Sequence, residues 1–328
     1  MIGTKEVRMN KDVTIVIPTF NRVDLLEKTI ESALKQTYPC DVIVCDHGSQ
    51  DSTPEMMEKY EGKVKYIRKE VDHGISFCWL DGIINADTEF VHLHLDDDLM
   101  MPDYIEKSMK YMRDKEVGMV FSDAILKNYA TGQEYPNCLD IAHKFGTGII
   151  AAGQLEKEIL ENSLMLSPAV CLYRKKDMID ALYPGSLPID FGGEYKGVGP
   201  DHFMTLLVLL RYKKVAALGE SLAIFGAHDG SITIDAHANK EKAQKIQSAY
   251  NAIRKYYLVL KNARECGHIW NDQSKKNLDF LWSVQKKKKG NKQKYYFLGV
   301  NFFTIKDKKV KRKYYILGIP FFVKRIKK

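Results

Sequence analysis

The sequence predicts an α/β fold with a mainly parallel sheet and helices on both faces. Two observations point to it. Short apolar runs of strand length alternate with segments of helical spacing over the first 123 residues, and each run stops on a polar turn. In open sheets of this kind ligands are held where strands end. The run VTIVI (13–17) reads as a buried strand, after which NRVDLLEKTIESALKQ switches to helical spacing with Leu26, Ile30, Ala33 and Leu34 on one face. DVIVCD (41–46) is a second strand, and Thr53 as N-cap with Pro54 at the first helical position opens the next helix, PEMMEKY. KVKYIRK (63–69) is a third strand, residues 75–86 are helix-like, and EFVHLHL (89–95) is a fourth strand. PDYIEKSMKYMRD is a helix opened by Pro102, and GMVFSD (118–123) is a fifth strand. Site residues are therefore expected at three strand ends: Pro18, Thr19, Phe20, Asn21 and Arg22; Asp46 to Ser49; and Asp96 to Asp98.

Composition sets the outer bounds. A chain of 328 residues, 45% apolar and 28% charged, is ordinary for a folded globular protein. Its six cysteines form no CxxC pair and no Cys/His metal spacing, which fits a reducing compartment. The first residues lack the apolar core of a leader, and no apolar stretch approaches the roughly 18 residues needed to cross a bilayer. A cytoplasmic location is expected. Charge is unevenly spread: fourteen Lys, two Arg and one Asp give residues 285–328 a net +15 against +8 for the whole chain, leaving −7 on residues 1–284. A basic block of this size seeks phosphate.

The sharpest signal is HLHLDDDLMMPD (92–103), with three consecutive carboxylates at a strand end. Mutual repulsion makes such a cluster costly unless a cation compensates, and oxygen ligands suit Mg²⁺ or Mn²⁺. The plainer alternative is a solvated acidic turn with Asp98 capping the following helix.

TIVIPTFNR, VIVCDHGSQDST and HLHLDDDLMMPDY, in this order and at these separations, resemble the nucleotide-sugar-binding half of inverting family 2 glycosyltransferases, which have the GT-A fold. The resemblance covers about residues 12–235. It implies that Phe20 stacks on the nucleobase, that Pro18 to Arg22 line the nucleotide pocket, and that Asp46 reads base and ribose. It also implies that the DxD-like motif holds the metal on the donor diphosphate, through Asp97 with Asp96 and Asp98 beside it. Two departures stand out. His47 occupies the place of an Asp that accepts the N3 proton of uracil, a role a neutral imidazole can also fill, though the histidine equally fits a different base. In HGISFCWLDGI (73–83), Trp79 and Leu80 stand where relatives often carry Asn or Arg near the diphosphate.

An inverting transfer also needs a base on the face opposite the nucleotide. The family places an Asp at the start of a helix after a glycine-rich loop, and GGEYKGVGPDHFMTLLVLLRY offers Asp201, with Glu194 in reserve. A first-turn acid is favoured by the helix dipole in any case. In AIFGAHDGSIT, His228 matches a histidine that GT-A enzymes often set near the metal or diphosphate. His92 and His94 share one strand face and read as packing residues. SPAVCLYRKKDMI (167–179) looks like the strand that lines the acceptor side.

The expected organisation is a glycosyltransferase domain over 1–235 (12–123 nucleotide-sugar half, 124–235 acceptor half), a helical extension over 236–284, and a basic aromatic tail over 285–328. In the tail, KYYFLGVNFF (294–303) recurs as KYYILGIPFF (313–322). Lysine interleaved with aromatic and aliphatic residues suits an anionic bilayer surface, and similar tails occur on bacterial surface-glycan enzymes with lipid-linked acceptors. A small hairpin packed on the domain is the rival reading. Nucleic acid is not expected as a partner, because no other part of the chain carries a nucleic-acid motif. The whole reads as a glycosyltransferase, peripheral to the inner face of the cytoplasmic membrane, that uses a UDP-sugar, Mg²⁺ or Mn²⁺, and a glycan or lipid-linked glycan acceptor. A nucleotidyltransferase would need a Gly-rich, Lys/Arg-bearing phosphate loop after the first strand, where PTFNR has neither glycine nor lysine. A non-catalytic sugar- or lipid-binding protein on the same fold is the remaining alternative.

Overall fold

The computed structural model describes residues 11–182, 198–228 and 239–265, together with the backbone of five strands between 284 and 325. Four strands form the parallel half of the main sheet: β1 (Val13–Thr19), β2 (Cys40–His47), β3 (Lys65–Lys69) and β4 (Phe90–Leu93), in the spatial order β3-β2-β1-β4. β1 is buried along its whole length, as its unbroken apolar run requires of a strand covered on both faces. Helices α1 (Val23–Leu34), α2 (Thr53–Met57) and α3 (Ile75–Ile84) make the crossovers. α1 buries Leu26, Ile30 and Ala33 in the core, each large side chain contributing about 1.5–3 kcal/mol by leaving water. Leu34, expected on the same face, is exposed instead. α2 begins at Thr53, so Ser52 rather than Thr53 occupies the N-cap position, and the Thr53 N–H bonds to the Asp51 carboxylate.

After the two-residue strand β5 (Leu99–Met100), helix α4 spans Tyr104–Met112, with Asp103 at its N-cap position and Pro102 one residue earlier. The fifth long strand, β6 (Val117–Asn128), is twice the length read from GMVFSD. Then follow β7 (Glu134–Tyr135), α5 (Ile141–Phe145), β8 (Gly148–Ala151), α6 (Ala152–Leu160), β9 (Cys171–Arg174), α7 (Lys175–Leu182), α8 (Pro200–Arg211) and β10 (Lys214–Ala227). The sheet continues β4-β9-β6-β10-β5, with β9 antiparallel to both β4 and β6 and β10 parallel to β6. The parallel half thus joins a mixed half. A long helix, α9 (Lys240–Glu265), follows, and no helix among the described residues is long and apolar enough to cross a membrane.

Contacts divide the chain into two units, Met1–Arg254 and Lys255–Lys328. The second contains a five-stranded antiparallel meander: β11 (Val284–Lys289), β12 (Lys292–Phe297), β13 (Val300–Lys308), β14 (Lys311–Ile316) and β15 (Ile319–Arg325). Each copy of the aromatic repeat supplies two of these strands, β12 with β13 and β14 with β15. The register sets Lys289 opposite Lys292, Lys292 opposite Lys306, and Lys306 opposite Lys313, a run of lysines across four adjacent strands.

Candidate active site

The pairing of Val16 with Leu93 places the chain three residues beyond each at the same level, where Thr19 meets Asp96. The Thr19 hydroxyl donates to Oδ2 of Asp96 at 2.9 Å. Across the other edge of β1, Thr19 pairs with Asp46. The three strand ends expected from sequence therefore meet in space. Asn21, held at a left-handed φ of 54°, links two of them: its N–H donates to Ser49 Oγ, and its Oδ1 accepts from the Gln50 N–H at 2.7 Å.

Asp96 and Asp97 share Arg22, whereas Asp98 faces a separate partner. Asp96 accepts from Thr19 and from Arg22 Nη1 at 2.9 Å, and burial, opposed by the Arg22 charge, pushes its carboxyl up to about 6. Asp97 accepts from the same Arg22 nitrogen at 2.9 Å and lies 3.1 Å from His228 Nε2. Asp98 turns inward, where its Oδ1 accepts the Gly226 N–H at 3.1 Å, and burial beside the Asp97 charge holds it well above the usual carboxylate range. Asp98 is therefore not the cap of α4. Arg22 supplies part of the compensating positive charge that the cluster demands.

β10 approaches Asp97 closely enough that only glycine fits at position 226. A Cβ there would stand 2.3 Å from the Asp97 carbonyl oxygen and 2.6 Å from the Tyr129 ring. The Tyr129 hydroxyl donates to that same carbonyl at 3.2 Å. Sequence reasoning missed both residues, because their role depends on the pairing of β6 with β10.

The Asp46 carboxylate, fully buried, accepts from the Ser49 N–H at 2.8 Å and the Tyr66 hydroxyl at 2.6 Å. His47 points elsewhere. Its ring lies edge-on to His73 and 3.7 Å from Asp81 of α3, is 2% exposed, and has no hydrogen-bond partner at either nitrogen among the described residues. Burial lowers its pKa, with Asp81 opposing. Phe20, directly after β1, is 44% exposed rather than core. Pro18 pairs with Cys45 inside the sheet. Trp79 is buried, its indole nitrogen without a hydrogen-bond partner among the described residues, and Leu80 is half-buried.

Asp201 occupies the first turn of α8, after Pro200 and a Gly199 whose φ of 106° disfavours any side chain. Its Oδ1 accepts the N–H groups of Gly199 and His202 at 2.8 and 2.7 Å, and burial, opposed by these bonds, pushes its carboxyl up to about 6. No hydrogen bond or ion pair joins Asp201 to the Asp96–Asp98 group among the described residues. Glu194 lies outside the described residues. His92 and His94 are packing residues: both are fully buried, with His92 Nε2 3.2 Å from His94 Nδ1 and His92 Nδ1 facing the Cys171 carbonyl.

For a divalent metal, Asp97 and His228 provide an oxygen and an imidazole nitrogen at one point. That pair fits Mn²⁺ if phosphate oxygens and water complete the shell, whereas Mg²⁺ would take only the Asp97 oxygen of the two. Among the described residues no three His, Cys, Asp or Glu side chains form a group that could hold a metal unaided.

The family model described as Glycosyl transferase family 2 matches residues 14–180, half of the chain and all three strand ends. The chain belongs to glycosyl transferase family 2. This family 2 enzyme is 36% identical over 98 residues to the chondroitin synthase of Pasteurella multocida, covering 28% of the chain and 10% of that protein. It is 25% identical over 232 residues to glycosyltransferase GlyA of Streptococcus pneumoniae, covering 67% and 31%. To TarP of Staphylococcus aureus, a poly(ribitol-phosphate) β-N-acetylglucosaminyltransferase, it is 27% identical over 179 residues, covering 52% and 50%. The chain thus spans half or less of the length of these curated relatives. The crystal structure of S. aureus TarS with UDP-GlcNAc superposes with a TM-score of 0.54 at 18% identity, over 78% of this chain and 73% of that one, and shows the shared GT-A fold.

Proposed function

We propose that this family 2 glycosyltransferase moves a sugar from a UDP-sugar to a glycan or lipid-linked glycan acceptor with inversion, assisted by Mg²⁺ or Mn²⁺. The observation that carries the reading is the meeting of Asp97, Arg22 and His228 at the end of the parallel half-sheet, with the exposed Phe20 two residues before Arg22. Leaving-group departure builds negative charge on the diphosphate, which Arg22 is positioned to meet electrostatically. A metal bound by Asp97 and His228 would supply Lewis-acid stabilisation of the same charge. Phe20 would stack on the base, with Asn21 holding the loop that carries it and Asp46 and His47 lying on the base and ribose side.

Asp201 is the proposed base. A carboxylate poised near 6 is deprotonated at neutral pH yet basic enough to take a hydroxyl proton. The UDP preference is supported by the fold shared with a protein that binds UDP-GlcNAc. The test is a thermal-shift panel of UDP, GDP, ADP and CDP, each with and without Mn²⁺, followed by anomeric analysis of the product. A metal-dependent shift confined to UDP and a product of inverted configuration are expected. A metal-independent panel or a retained anomer overturns the reading.

The tail is proposed to bring the enzyme to an anionic bilayer. Like charges directly opposite in a sheet are destabilising. The row Lys289, Lys292, Lys306 and Lys313 therefore favours a surface that supplies phosphate.

A further inference from the structure

Tyr250, on α9, donates its hydroxyl proton to Oδ2 of Asp201 across 3.0 Å. This tyrosine lies beyond the stretch that the family match covers. Its ring is fixed, 7% exposed and edge-on to the His202 ring at 5.2 Å between centroids. One helical turn later the buried Arg254 anchors α9, its Nε donating to the Ile159 carbonyl at 3.1 Å and its other nitrogens reaching Asn162 and Asn251. The hydroxyl thus arrives at Asp201 from a pinned helix.

A carboxylate has four lone-pair positions. Two backbone N–H groups take up Oδ1, and Tyr250 takes one position on Oδ2. We propose that Tyr250 is a positioning residue for the base, fixing the rotation of the Asp201 carboxylate so that the remaining lone pair of Oδ2 receives the acceptor proton. In that step the acceptor oxygen bonds to the anomeric carbon, its proton passes to Oδ2, and the nucleotide diphosphate leaves with the electron pair of the broken bond. Tyr250 keeps its own proton, since burial and the neighbouring carboxylate hold its phenol well above the usual range. The inference rests on the reading of Asp201 as base.

The other titratable groups at this point are few among the described residues. His202 is held down at about 3 by burial with Arg254 nearby, so it stays neutral, and Arg254 is tied to the Ile159 carbonyl. Asp177 and Arg211 pair with each other at the far end of α8.

The test uses the full chain and Tyr250→Phe, which keeps the ring and removes the donor. The carboxyl resonances of aspartate labelled with ¹³C at Cγ are followed against pH, with Asp201 assigned by its absence in Asp201→Asn. Loss of a donor to the charged form should move the Asp201 midpoint up by about 0.5–1 pH unit, and the acid limb of UDP-GlcNAc or UDP-glucose turnover with it. kcat should fall about tenfold or more, with KM for the donor within about twofold. An unmoved midpoint overturns the proposal even if activity falls, because a purely structural tyrosine would leave the titration in place. If Asp201→Asn is inactive but the limb in Tyr250→Phe does not move, the tyrosine role fails alone. Turnover surviving in Asp201→Asn overturns the base reading and this inference together.

Discussion

His228 Nε2 lies 3.1 Å from Oδ2 of Asp97, although 131 residues separate them in the chain. The contact forms because β10 carries the histidine back to the strand end that carries the aspartate. Asp97→Ala should therefore abolish transfer and remove the Mn²⁺-dependent part of UDP affinity. Calorimetry of UDP with and without Mn²⁺ checks this. A variant with the parent's metal dependence would reduce the cluster to an arginine-bound acidic turn.

Removing the proposed base has a different signature. Asp201→Asn keeps shape and the Oδ1 contacts, so UDP binding should persist while turnover falls about 10²–10⁴-fold. Steady-state rates beside equilibrium binding make the distinction, and near-normal rates would send the role elsewhere.

Phe20 offers an exposed ring that no core contact explains. Stacking a base on an aromatic side chain is worth about 1–3 kcal/mol. Phe20→Ala should accordingly weaken UDP about 5- to 150-fold without lowering the melting temperature, and Phe20→Trp should restore binding. Unchanged affinity in the alanine variant would place the base elsewhere.

Two buried imidazoles make stability pH-dependent. Burial lowers His92 to about 4 and His202 to about 3 from an ordinary 6.5. Below 6.5 the unfolded chain takes up protons that the native state refuses, so their contribution is intact above 6.5 and lost as pH falls toward 4. The slope is about 1.4 kcal/mol per pH unit for each histidine. Denaturant titrations at pH 6.5, 5.5 and 4.5 should show this decline, and His202→Phe should lessen it. An equally steep fall in that variant would remove His202 from the account.

Vesicle co-sedimentation tests the tail. Binding should rise with the fraction of anionic lipid, and replacing Lys289, Lys292, Lys306 and Lys313 by Gln should weaken it by about 1 kcal/mol per residue. Turnover on a short water-soluble acceptor should not change. Undiminished vesicle binding by the quadruple variant would exclude the lysine row as the contact surface.

The parts legible in the sequence are those governed by local pattern. Val13 to Ile17, Asp46 and Asp96 to Asp98 advertise strand ends, because an apolar run cut short by carboxylates has few other meanings. What stayed hidden depends on partners far along the chain. Three adjacent aspartates read as one cluster, yet Asp98 turns away because Gly226, 128 residues on, presents an N–H to it. The antiparallel direction of β9 between β4 and β6 leaves no trace in CLYR. Tyr250 sits in a helix where an aromatic residue would ordinarily be read as packing. Thr53 and Ser52 are both good caps, and only the turn geometry at Asp51 separates them.

The lysine row in the five-stranded meander sets two responses to salt against each other. Added electrolyte screens repulsion between directly opposed lysines, so the meander should gain stability from low to physiological ionic strength. The same ions weaken attraction to an anionic bilayer. If the tail docks as proposed, low salt should favour the bound form and high salt the free one. Under that proposal lipid phosphate would relieve the repulsion while it binds, because its counter-charge is fixed at a surface. The tail's own folding and its adsorption would then be thermodynamically linked, and a bilayer should raise its melting temperature most where dissolved salt is scarcest.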